Sequence, residues 1–197
     1  MKNTRILRLT CGLALAALIA CKPAAVADND GLKEDVAENA GLRSDLEAVF
    51  VSAAPEKALT VSEVFTDPTP GREVVISGEV MGAMNPFVTG RAMMVIGDPT
   101  KITPCNRRPG DQCETPWDVC CDDPDVIKKS IATIQVVGED GRPLKESLQK
   151  TNGIDFLSYV TVKGTIAEGS NPRNLLIDAQ KIHVAEKSPY KDAPPVE

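Results

Sequence analysis

Five short runs of alternating apolar and polar residues constrain the fold of this chain more than any other feature. Arg72–Val80 puts Val74, Ile76 and Val80 on one face and Glu73, Ser77 and Glu79 on the other. Arg91–Gly97 holds Ala92, Met94 and Ile96 in phase, and Ile131–Val137 does the same with Ala132, Ile134 and Val136. Tyr159–Ile166 carries Val160, Val162 and Ile166, and the last run sets Leu175, Ile177 and Ala179 in one phase. That run resumes at Ile182 and Val184, so a bulge is expected near Gln180. A period of two is that of a strand with one buried face. Between the third and fourth runs, Pro143–Lys150 has Pro at a first-turn position and Leu144/Leu148 at i,i+4. Asn152-Gly153 stops it, and the pattern predicts a helix. The order strand, strand, strand, helix, strand, strand predicts a mainly β fold, a five-stranded OB-fold-like barrel with one helix between strands three and four. Gly78 and Gly164 fall mid-strand, where a small barrel coils sharply. Thr60 with Glu63 forms a capping-box pattern for a short leading helix packed on the barrel.

The first twenty residues carry Lys2, Arg5 and Arg8, then the apolar run Leu13–Ala20, and end against Cys21. A basic stretch followed by so short an apolar one reads as a signal peptide. Leu18-Ile19-Ala20-Cys21 resembles a bacterial lipobox, which implies cleavage before Cys21 and a diacylglycerol on its sulfur. The competing expectation is an ordinary secretory signal cut near Ala25 or Ala27. The lipoprotein reading places the chain in the cell envelope, lipid-anchored at Cys21 and facing the periplasm or exterior, and leaves inner or outer membrane open. Residues 21–57 hold eight acids, four bases and eight alanines, which suits an acidic tether that is partly disordered or helical. The expected domain is 58–187, and the proline-bearing tail 188–197 is expected to be disordered.

Between the second and third strands, residues 98–130 form an insert far longer than an ordinary strand connection. It contains Cys105, Cys113, Cys120 and Cys121 in a C-x7-C-x6-C-C pattern, and the single tryptophan, Trp117. Outside the cytosol thiols are normally oxidised, so disulfides are the first expectation. One neighbour would pair with Cys105 and the other with Cys113, because a vicinal Cys120–Cys121 bond strains the peptide between them. Trp117 would then plug the disulfides. The alternative is a four-cysteine site for zinc or copper(I), although paired C-x2–4-C knuckles are missing. A third reading makes Thr115-Pro116-Trp117-Asp118 a helix start that activates Cys120 and Cys121. Asp118, Asp122 and Asp123 oppose it by raising a nearby thiol's pKa.

Gly71–Val80, Asn85-Pro86-Phe87, Thr115-Pro116-Trp117-Asp118 with Cys120-Cys121, and Val160–Gly164 together resemble a family of uncharacterised bacterial OB-fold lipoproteins. The resemblance spans Leu59 to Val184 and implies the barrel and the envelope address, with no activity attached.

Charge narrows the function classes. The chain has formal charge −6, and losing the basic leader takes it to −9. Residues 58–187 hold fourteen bases against eighteen acids, which disfavours an oligonucleotide-binding surface. His183 stands alone between Ile182 and Val184 and is expected to face outward. Asp122, Asp123 and Asp125 lack an EF-hand frame, and Asp123-Pro124 reads as a helix cap. No catalytic motif is present, so no enzyme activity and no cofactor are expected. In OB-folds the loops joining strands one and two, and four and five, flank the ligand face. Asn85, Phe87 and Arg91 on one, and Asn171, Arg173 and Asn174 on the other, are the candidate contacts for a protein, glycan or small ligand. The first expectation is therefore a non-catalytic, membrane-anchored OB-fold binding module. The alternative is a thiol- or metal-dependent envelope protein built on the insert, and the weakest is an oligonucleotide binder.

Overall fold

The computed structural model describes residues 45–196; the leader, Cys21 and most of the tether lie outside the described residues. Six strands form one sheet: β1 (Leu59–Thr60), β2 (Glu73–Glu79), β3 (Met93–Gly97), β4 (Ile131–Gln135), β5 (Tyr159–Ile166) and β6 (Leu176–Val184). Their order is β1-β2-β3-β4-β6-β5, and β5 returns to pair with β2. That pairing closes a five-strand barrel in the OB-fold arrangement, with β1 as a short parallel addition beside β2. All five alternating runs are strands of the barrel.

The alternation gives the core. Ile76, Met94, Ile96, Ile134, Val162 and Ile177 are each fully buried inside the barrel. The bulge falls where the phase slips: Lys163 faces Lys181 while Gly164 faces Ala179, so Gln180 is the extra residue. Gly164 is required there, since a Cβ would run into the Asp178 carbonyl. A Cβ at Gly78 would stand 2.7 Å from the Gly97 carbonyl oxygen on the adjacent strand β3.

Helix α1 (Val61–Val64) begins with a complete capping box: Thr60 accepts from the Glu63 amide, and Glu63 accepts from the Thr60 amide. Helix α2 (Pro124–Ser130) is capped by Asp123, which accepts from Asp125 N at 2.8 Å and Val126 N at 3.2 Å. This leads directly into β4.

Three expectations are corrected. Pro143–Lys150 is not a helix. Leu144 donates to the Val136 carbonyl and accepts from the Ala92 amide, and Pro143 bridges Val137. The Leu144 carbonyl is thereby given to Ala92 instead of to an amide one turn on, and Leu144 and Leu148 reach the core from an irregular segment. The barrel unit also begins earlier than 58. Leu46 is buried in the core, and Phe50 bridges Ile182, whose amide donates to the Val49 carbonyl and whose carbonyl accepts from the Val51 amide. Finally, the tail is seated on the barrel and insert. Ser188 donates to Glu79, Val196 N donates to Thr103 Oγ1 at 2.8 Å, and Tyr190 packs near Tyr159.

Candidate thiol centre in the insert

The insert leaves the barrel at Asp98 and returns at Ser130, and the Asp98 amide donates to the Ser130 carbonyl at 2.8 Å to close its neck. Asp98 itself is buried, accepting from Ser62 N, Thr100 N and Thr100 Oγ1. Burial alone would raise its pKa, but the bonds from Thr100 and Ser62 win and hold the carboxyl below its usual range. The insert has a small core of its own. Ile102 and Val119 form a small second core with Met81, flanked by Ile127, Ile131 and Leu157.

Two ion pairs tie it down further. Arg107 Nη2 lies 2.6 Å from both carboxylate oxygens of Glu79, whose side chain is 0% exposed. Arg108 Nη2 lies 2.6 Å from Asp122, which also accepts from Thr103 N at 2.8 Å. Glu79 was assigned to the outward face by its phase in β2. The insert and tail fold over that face, and Arg107 and Ser188 then satisfy the carboxylate.

Trp117 packs toward Phe156 and the loop after β2. Its ring stacks on Phe156 at 3.6 Å and 7°, and its indole N–H donates to the Met84 carbonyl at 2.9 Å. It pins the insert to the barrel's first loop. Thr115–Asp118 is a single turn closed by Asp118 N to Thr115 O, not a helix start, so no helix dipole reaches Cys120 or Cys121.

The four cysteines converge all the same. Cys105 opens a short 3-10 turn (Cys105–Arg107), and its amide donates to the Asp118 carbonyl at 2.8 Å. Cys120 and Cys121 occupy the middle of a turn closed by Asp122 N to Val119 O. Cys113 follows Asp111, whose carboxylate accepts from the Cys113 amide at 3.2 Å. The Cys105 and Cys120 sulfurs stand 3.8 Å apart, and none of the four is bonded to another. The ligand atoms of Cys105, Cys120 and Cys121 lie within 4.8 Å of one another, and so do those of Cys105, Asp111 and Cys113. Cys105 is buried at the centre, Cys113 is half-buried, and Cys120 and Cys121 are exposed at the rim.

Every shift found among these thiols is upward. Burial, then the Cys113 and Cys120 thiols, push Cys105 far up. The bond to Asp111 leads the effects that raise Cys113 to about 11, and Cys120 leads those that raise Cys121. Protonated thiols are poor nucleophiles. A soft cation that displaces their protons meets thiolates grouped about one buried sulfur.

The loop candidates behave differently. Phe87 is 4% exposed and sits edge-on against Phe156 in the core. Asn85 accepts from the Phe87 amide, and Asn171 accepts from the Arg173 amide and pairs with Asn174, so these polar groups shape their own loops. Arg91 and Arg173 are exposed. Because β3 is antiparallel and β6 parallel to β4, the two loops lie toward opposite ends of β4. His183 is half-buried opposite Thr161. Asp122 and Asp123 are used by Arg108 and by the α2 cap, and Asp125 pairs with Lys128.

Asp111, Arg107, Arg108 and Glu79 were not singled out in the sequence. The Asp-x-Cys step at Asp111 and the arginine pair beside Cys105 were visible signals; the burial of Glu79 had none. No protein-family model matches this chain, and no curated protein matches it.

Proposed function

We propose that the protein is a lipid-anchored envelope protein whose OB-fold barrel carries a thiolate centre for a thiophilic metal ion, zinc(II) or copper(I). The observation that carries this reading is the convergence of Cys113, Cys120 and Cys121 on the buried Cys105 sulfur. Sulfurs bound to one zinc at ~2.3 Å stand ~3.8 Å apart at tetrahedral angles, and Cys105 and Cys120 are 3.8 Å apart. The insert is also braced by its own small core, two ion pairs and the Trp117 stack, which leaves the cysteines available for a ligand role. The lipobox-like ending at Cys21 and the resemblance to bacterial OB-fold lipoproteins support the anchor and the address.

Intact mass of the full chain, purified without reductant and paired with metal analysis, tests the reading. The expected result is four unmodified thiols in the insert and bound zinc or copper. A chain lighter by four hydrogens, with no metal, would establish two disulfides and overturn it.

A further inference from the structure

The thiols do not form one symmetric cage. They fall into two triads, Cys105/Cys120/Cys121 and Cys105/Asp111/Cys113, that share only the Cys105 sulfur. A single tetrahedral ion needs all of its sulfur pairs near ~3.8 Å; Cys113 interacts with Cys120, but among the described residues it falls within a mutual 4.8 Å only of Cys105 and Asp111. We propose that the centre holds two divalent thiophilic ions bridged by the Cys105 thiolate, one in each triad. This rests on the thiolate reading above.

Charge points the same way. Four thiolates bring four negative charges, and one divalent ion would leave two of them uncompensated. Of the nearby arginines, Arg107 is paired with Glu79 and Arg108 with Asp122, so each reaches the thiolates with its charge already shared. Two divalent ions balance the four thiolates, and Asp111, as the oxygen ligand of the second triad, leaves a single net negative charge on the centre. Position fits as well: Cys105, the proposed bridge, is the buried member, and each triad opens from it toward less buried ligands. Binding is an exchange of protons for metal, with four thiol protons released to solvent and no electron transferred.

The test is zinc(II) titration of the reduced, metal-free full chain in detergent, counted by native mass spectrometry, with cadmium-113 NMR on the same protein. The expected result is two ions per chain and two cadmium resonances coupled to each other through one sulfur. Asp111→Asn and Cys113→Ser should each lower the count to one, and circular dichroism like that of the unsubstituted chain would show that they fold. One ion in the unsubstituted chain, or two uncoupled resonances, would overturn the bridged pair while leaving the thiolate reading standing. Two ions retained by Asp111→Asn would remove Asp111 from the second site. No bound ion at all would overturn both readings.

Discussion

Replacing Arg107 with Met should unlock the insert from the barrel. Arg107 places one guanidinium nitrogen 2.6 Å from both oxygens of Glu79, and the two side chains are 6% and 0% exposed. Without Arg107, the carboxylate keeps only the Ser188 hydroxyl as a side-chain partner. Removing one member of a buried pair strands the other charge and costs about 3–5 kcal/mol. For a domain of this size each kcal/mol lowers Tm by roughly 2–4 °C, so Arg107→Met should melt roughly 6–20 °C lower. Glu79→Gln on the Arg107→Met background removes the stranded charge and should recover a large part of that loss. Thermal and urea unfolding of the single and double variants, read as a double-mutant cycle, measures the coupling. An Arg107→Met chain within about 1 kcal/mol of the unsubstituted protein would refute the reasoning, because an unpaired buried carboxylate costs more than that.

Two further outcomes follow from the barrel and its neck. Gly164→Ala drives a methyl into the Asp178 carbonyl at the bulge and should lower the stability read from urea unfolding by about 1–3 kcal/mol, with a lower midpoint. An unchanged midpoint would mean that the β5–β6 contact relaxes freely. The Asp98 carboxyl is held below its usual range, so its contribution is present above that range and fades as pH falls through it. Between about pH 5 and about pH 2, Asp98→Asn should therefore lose less stability than the unsubstituted chain. Parallel acid limbs in the two unfolding curves would contradict this.

What was legible depended on how local the cause was. Period-two alternation located all five barrel strands, because each strand keeps one face in the core regardless of what covers the other. The phase slip at Gln180 and the caps at Thr60 and Asp123 are likewise short-range, and all three stand where the residues put them. Leu144 and Leu148 misled because burial at i,i+4 spacing does not require a helix. Strand-type bonds from Leu144 to Val136 and Ala92 set that backbone instead. Glu79 and Trp117 were misplaced for a different reason. Their surroundings are assembled from residues 28 and 39 positions away, Arg107 and Phe156, which no local pattern connects. The thiol centre was half legible: its four cysteines and their insert were plain, while Asp111 and the division into two triads about Cys105 arise only from the fold of the loop.

X-ray absorption at the zinc edge of the zinc-loaded full chain shows whether these thiols hold metal. A nearest shell dominated by sulfur at ~2.3 Å is the expected result. A shell made only of nitrogen and oxygen at ~2.0–2.2 Å would contradict it, because the ion would then sit away from Cys105 and its neighbours.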